Sequence, residues 1–246
     1  MALLLHCGAE SAQLEDLAKV PLPRATKSYQ PVGHQDLANM LSDLANSLLS
    51  GFAHVKSDFG LARYGQQMFG VHTYKNSDEN LGLSIGFRNS YDRTLSIGIA
   101  AGASVFVCDN LALTGDITVL RKHTLNVQND IEQMAISTIF KSRSAYFQVQ
   151  HDAKLMQGIP LSDDDAYRML GLAYGHGIIS PRQVPVAKKE WLEPSHLDFQ
   201  PRSLWSCYNA ITEALKTSPP RNILEKHLDL HRLVKHHSLG SDLVTT

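Results

Sequence analysis

The stretch Leu81-Gly82-Leu83-Ser84-Ile85-Gly86-Phe87-Arg88-Asn89-Ser90-Tyr91-Asp92-Arg93-Thr94-Leu95-Ser96-Ile97-Gly98-Ile99-Ala100 decides the fold class. Leu81, Leu83, Ile85 and Phe87 alternate with small residues, and Leu95, Ile97 and Ile99 repeat the pattern beyond a polar break. Successive side chains of a strand point to opposite faces, so a period of two marks a half-buried strand. Two such runs across the turn-forming segment Asn89 to Arg93 predict an antiparallel hairpin.

Further strands are expected on both sides. Phe52 to Ser57 and a pair within Arg63 to Lys75 precede the hairpin, with Asn76 to Asn80 as a polar turn. Val105 to Cys108 and Ile117 to His123 follow it. Ahead of the strands, Leu37, Met40, Leu41, Leu44 and Leu48 fall on one face of a helix from about Gln35 to Leu49. A short helix over Ala12 to Ala18 is ended by Pro21-Leu22-Pro23.

After Thr124 the spacing turns helical to about Gln157, in one helix or in two broken at Ser142-Arg143-Ser144. Ser162 caps another helix, with three aspartates at its positive end. Pro181 to Pro201 reads as irregular chain pinned by Trp191, and helices follow over Ser203 to Thr217 and Arg221 to His237. Segregated strands and helices indicate an α+β fold: an antiparallel β meander preceded by an amphipathic helix and followed by several helices. The expected divisions are an N-terminal arm (1–28), an α+β core (29–217) and a C-terminal helix and tail (218–246).

The 23 basic and 24 acidic residues leave a net charge of −1, so any nucleic-acid contact needs a local basic patch. Cys7, Cys108 and Cys207 are odd in number and widely spaced, which points to a reducing, cytoplasmic setting rather than a disulfide framework. No apolar run is long enough for a bilayer, so no membrane partner is expected. Phosphate loops, dinucleotide-binding fingerprints, zincin motifs and nucleophile elbows do not occur, and no cofactor is expected.

Asn89, Ser90 and Asp92 fit hairpin chemistry, in which short polar side chains bond nearby backbone. Their alternative role is a polar rim, with Arg88 and Arg93 meeting phosphates. Cys108, Asp109 and His123 make a weak catalytic set: a thiol, and a histidine that could act as its base if the strands lie side by side. Asn110 suits capping of a neighbouring loop. His227 and His231 stand at metal-ligand spacing, but no glutamate follows His227. The plainer reading is an exposed basic helix with Lys226, Arg232 and Lys235, and no metal is expected. Trp205, Tyr208 and Thr212 lie at helical spacing, as a packing stripe or a stacking platform. Asn209 and Glu213, if buried, need partners, for which the Arg88–Asp92 turn is a candidate.

Arg88-Asn89-Ser90-Tyr91-Asp92, Val107-Cys108-Asp109-Asn110, His123-Thr124 and the later Trp205-Ser206-Cys207-Tyr208-Asn209 together resemble a phage- and plasmid-associated family, catalogued as domain of unknown function 932. The resemblance runs from about Tyr29 to Leu215 and implies a mobile-element setting, with no reaction attached. It also implies a smaller, glycine-containing turn where this chain has Tyr91 and Arg93.

Three functions are open on these grounds. The first is a non-enzymatic DNA-associated factor that binds or anneals single-stranded DNA as a homo-oligomer, through a path of Arg88, Arg93, Arg121 and Lys122. The second is an inhibitor of a host protein. The third is an enzyme acting on nucleotides or nucleic acid through Cys108 and His123.

Overall fold

The Leu81–Ala100 hairpin sits at the centre of a larger meander. In the computed structural model, which describes residues 9–76, 81–105, 110–124, 126–218 and 222–238, six strands form one antiparallel sheet in sequence order. They are β1 (Glu10–Ala12), β2 (Ala53–Ala62), β3 (Gln67–Lys75), β4 (Leu81–Ser90), β5 (Ile97–Val105) and β6 (Asn110–Arg121). Helix α1 (Leu14–Lys19) and helix α2 (His34–Leu48) lie between β1 and β2. After the sheet come α3 (Val127–Gln157), α4 (Asp163–Gly175), α5 (Val184–Leu192), α6 (Leu204–Leu215) and α7 (Ile223–Ser238). The α+β class is as the hairpin pattern predicts.

The two faces of the sheet differ in side-chain size. Leu83, Ile85 and Phe87 of β4 point to the face that carries Ile97 and Ile99 of β5, and this face meets Leu37 and Leu41 of α2 and Ile131 and Ile139 of α3 in the main core. Between them, Ser84 and Gly86 align with Gly102 and Ala100 on the opposite face. There Phe69, Val71 and Ala100 pack with Ile223 and Leu228 of α7. Gly70 belongs to the crowded face: a methyl group on it would stand 2.4 Å from the Phe87 ring.

Two buried histidines fasten α2 to the sheet. His72 of β3 sits on the inward face, where Nε2 donates to the Ala38 carbonyl at 3.0 Å and Nδ1 accepts from the Ser57 hydroxyl at 2.7 Å. His34, the first residue of α2, donates from Nε2 to the Gly65 carbonyl at 3.0 Å. A carbonyl can only accept, so each ring carries a proton on Nε2. Burial pushes both pKa values down to about 4.

Helix α3 is continuous over 31 residues. Ser142 does not break it, because its hydroxyl donates back to the Ile139 carbonyl at 2.6 Å. The Pro181–Pro201 stretch is more ordered than its prolines suggest: Pro185 falls in the first turn of α5, where a missing N–H loses no bond. Trp191 does pin it, donating from Nε1 to Asp163 at 3.0 Å under the Arg202 guanidinium. Ser162 caps α4 by accepting from the Asp165 amide.

The exposed basic C-terminal helix is corrected in one respect. His227 and His231 face inward, both buried, beside Leu230 and Val234. His231 Nε2 lies 3.1 Å from the Asp152 carboxylate of α3, and Lys235 is 3.5 Å from the same oxygen. Among the described residues no helix is long and apolar enough to cross a membrane.

Candidate functional site

Arg88-Asn89-Ser90 belongs to the last turn-proximal residues of β4 rather than to the turn, which runs from Tyr91 to Ser96. All three are buried. Arg88 points away from solvent into the face under α7, donating two hydrogen bonds to the Glu225 carboxylate at 2.9 and 2.7 Å. It is therefore not a surface phosphate contact. Asn89 donates from Nδ2 to the Val32 carbonyl at 2.7 Å and to His34 Nδ1 at 3.1 Å. The Ser90 hydroxyl donates to the Leu95 carbonyl and accepts from the Leu95 amide, both at 3.1 Å.

The turn itself holds the neighbouring turn between β2 and β3. Asp92 accepts from Gln67 Nε2 at 3.0 Å and from the amide and hydroxyl of Thr94 at 3.0 and 2.5 Å. Arg63 approaches it at 3.5 Å. Burial pushes the Asp92 pKa up, but the hydrogen bonds from Thr94 and Gln67 outweigh it and hold the carboxyl below its ordinary value. Tyr91 stacks flat on His34 at 3.7 Å, and its hydroxyl accepts from the His34 amide at 2.8 Å. The signature thus ties β4 to α7, to the start of α2 and to the β2–β3 turn.

The remaining predicted residues separate into two ends of the sheet. Arg121 pairs with Ile97 at the signature end and Asn110 pairs with Val105 at the other. Cys108 and Asp109 lie outside the described residues. Asn110, which follows them, and His123, which comes after Arg121, stand at opposite ends of β6, which a bulge shortens to the span of the nine residues of β5, on the order of 27 Å at the usual rise per residue. A general base needs to be within about 3 Å of the proton that it takes, so the set Cys108, Asp109 and His123 gains no support from this strand. His123 is buried against Tyr29, ring to ring at 5.4 Å, and burial lowers its pKa.

Helix α6 is buried almost all round. Trp205 and Tyr208 stack at 5.5 Å and 7°, as packing. Asn209 does not reach the Arg88–Asp92 turn; it donates to the Trp205 carbonyl in its own helix at 2.9 Å, and Glu213 accepts from Lys216 at 2.5 Å. Burial holds the Cys207 thiol up at about 12, so it is inert. No group of three or more metal-ligating side chains occurs among the described residues.

What faces solvent at the signature end is a set that sequence reading only partly finds. Among the described residues, Arg63, Tyr64 and Arg93 are the non-glycine residues with positive φ, at 52°, 56° and 61°. The left-handed region disfavours L-residues by roughly 1–2 kcal/mol apiece. Arg93 stands where the resemblance implies a glycine-containing turn, and the backbone angle explains that preference. Its guanidinium lies 4.2 Å above the Tyr29 ring. Tyr64 is fully exposed and Arg63 mostly so. Lys122, next to His123, is exposed, as is Lys27 in the short turn that pairs Thr26 with Tyr29. Arg121 is engaged by Asp130 of α3. Nothing in the local sequence marks Tyr64, because a lone tyrosine between Arg63 and Gly65 has no periodicity; its backbone angle singles it out.

A family model described as a domain of unknown function (DUF932) matches residues 21–234, which takes in α2, the sheet from β2 onward and most of α7. No curated protein and no solved structure matches the chain significantly.

Proposed function

This chain belongs to the family of domain of unknown function 932, and we propose that it is a non-enzymatic DNA-associated protein that holds single-stranded DNA on the signature end of its sheet. The observation that carries this reading is the conformation of Arg63, Tyr64 and Arg93. Three bulky residues are held in left-handed backbone while their side chains stand at the surface. Tyr64 buries nothing in return for that strain. Strain kept without a packing gain is characteristic of functional positions.

The chemistry matches a single strand. An exposed aromatic ring offers a face for base stacking, and cations beside it meet the backbone phosphates. Arg93, Lys122 and Lys27 supply those cations, with Arg63 shared with Asp92. Arg88 and Arg121 are left out of the path first drawn from sequence, since carboxylates already hold them. With a net charge of −1 the attraction is local to this end. The proposed setting is a phage, plasmid or other mobile element, and it rests on the family resemblance alone.

An electrophoretic shift with a single-stranded oligonucleotide at low salt tests the proposal. The wild-type protein retards the strand, and the triple variant Arg63→Ala, Arg93→Ala, Lys122→Ala loses most of the shift. A wild-type protein that leaves the strand unshifted at low salt overturns the reading and turns attention to a protein partner.

A further inference from the structure

Strand β2 carries a bulge that changes which side chains share a face. His54 lies opposite Tyr74 of β3 and Ser57 lies opposite His72, with Val55 the extra residue between His54 and Lys56. Three positions apart on a regular strand, His54 and Ser57 would point to opposite faces. The bulge turns both toward the face that carries His72 and Tyr74. Bulges of this kind re-aim side chains beside active sites.

The three polar side chains meet at one oxygen. Ser57 Oγ lies 2.7 Å from His72 Nδ1 and 2.8 Å from His54 Nε2. His72 Nε2 is committed to the Ala38 carbonyl at 3.0 Å. Burial pushes the His72 pKa down to about 4, so at neutral pH Nδ1 has no proton and accepts from the Ser57 hydroxyl. The serine oxygen then accepts from His54, whose Nε2 carries a proton. A hydroxyl that donates to an imidazole, itself oriented by a third group, is the arrangement of an activated nucleophile. The site can be reached from solvent. Strand β1 pairs only with Phe59 to Leu61, so among the described residues Ala53 to Asp58 have no strand on their outer side. His54 is exposed and Ser57 partly so, with His72 buried behind them.

We propose that Ser57 is a nucleophile that takes an acyl group from an activated ester or thioester, with His72 as its base and His54 as the donor to the oxyanion. Ser57 Oγ attacks the carbonyl carbon as its proton passes to His72 Nδ1. The carbonyl oxygen becomes negative and is met by the His54 Nε2–H. The adduct collapses, the bond from the carbon to the leaving oxygen or sulfur breaks, and the leaving group takes the proton from His72. A base of low pKa removes a proton with little driving force, so donors with good leaving groups fit and amides do not. Hydrolysis of the acyl-serine needs the same base and expels a much poorer leaving group, the Ser57 alkoxide, so the acyl group stays on the protein. The step is thus a modification of this chain and adds to its non-enzymatic role. The turn that carries Tyr64 begins beyond the Ala62–Gln67 pair, about 17 Å from Ser57 at the usual rise per residue, so the site stands apart from the DNA reading.

Mixing the full chain with p-nitrophenyl acetate tests it. The wild type gives a burst of nitrophenolate approaching one per chain, then little more, and peptide mass spectra place the acetyl group on Ser57. Ser57→Ala removes both. His54→Ala, at an exposed position, slows the burst by roughly a hundredfold, the loss of one oxyanion donor. His54→Gln keeps an N–H and restores part of the rate. The burst is slower in heavy water, because the Ser57 proton is in transfer to His72; a hydrogen bond that only braces the strand would give no such effect. Acetyl groups on lysines with none on Ser57 overturn the proposal, as does a burst that survives Ser57→Ala. A burst unchanged in His54→Ala, or unchanged in heavy water, also overturns it.

Discussion

Arg88 of β4 and Glu225 of α7, 137 positions apart, meet through two hydrogen bonds beneath the helix. The arginine side chain is 6 % exposed and the glutamate 39 %. That inequality sets which half of the pair matters more. Glu225→Ala leaves a buried guanidinium without its carboxylate, which by the behaviour of broken buried pairs costs about 3 kcal/mol or more. Arg88→Met keeps the volume and leaves a carboxylate that water can reach, so it costs less, about 1–2 kcal/mol. Urea denaturation of the two variants checks the order. An Arg88→Met protein less stable than Glu225→Ala contradicts it.

His34 and His72 make stability depend on mild acid. Their folded pKa values of about 4 lie below the ordinary 6.5. Above pH 6.5 both states leave these rings neutral and there is no linkage. Between 6.5 and about 4 the unfolded chain takes up protons that the folded chain refuses, so stability falls as the pH drops. Each ring contributes at most about 1.4 kcal/mol per pH unit in that window. The urea midpoint should fall steadily from pH 7 to pH 5, and His72→Gln should flatten the fall. A midpoint independent of pH over this range would show that the rings are not buried neutral.

Asp152 is fully buried in α3 and accepts from Gln148 at 2.8 Å besides facing His231 and Lys235. Burial pushes its pKa up, but the hydrogen bonds from His231 and Gln148 and the neighbouring charges outweigh this and lower it below 3.8. Its contribution is therefore present above pH 3.8 and lost as the pH falls further. Asp152→Ala takes the acceptor from the buried His231, and from Gln148 and Lys235, and should cost about 3–5 kcal/mol. Asp152→Asn keeps an acceptor oxygen and should cost clearly less. Equal losses in guanidinium denaturation would remove the pair from any role in stability.

Tyr64 gives a prediction of opposite sign for stability and binding. Glycine accepts φ of 56° without penalty, and the tyrosine ring is fully exposed. Tyr64→Gly should stabilise the fold by roughly 0.5–1 kcal/mol, strain relief less the entropy added to the unfolded chain. It should also weaken single-stranded DNA binding by about tenfold, the loss of one stacked base. Calorimetry and fluorescence anisotropy on one preparation read both. A destabilised variant with full binding would reverse the assignment.

How much of this was legible depends on where each residue finds its partners. The strands of the Leu81–Ala100 hairpin show their period in the chain itself. The chain alone starts the turn too early, at Asn89 instead of Tyr91, because Asn89 and Ser90 are polar, and polar residues before a turn read as part of it. Arg88 and Asn89 are buried because Glu225 and the Val32 carbonyl satisfy them from distant chain. No local pattern carries that information. The chain alone leaves His72 unassigned, because Met68, Phe69, Val71 and Tyr74 fall on both faces of β3; its ring fills an inward position that an apolar residue would otherwise take. His227 and His231 were read as surface because charge surrounds them in sequence, while their spacing with Leu230 and Val234 marks the inward stripe of α7. The separation of Asn110 from His123 is a matter of strand length, which the short apolar run at Val105 to Cys108 concealed.

The most direct test of the account is the salt dependence of oligothymidylate binding, measured by fluorescence anisotropy for the wild type and for Arg93→Ala, Lys122→Ala. The account predicts wild-type binding that weakens linearly in log affinity against log salt. In the double variant the slope is shallower by about 1.4, two phosphate contacts at roughly 0.7 each for a single strand. Identical slopes, or no binding by the wild type at low salt, would contradict the placement of DNA on this end of the sheet.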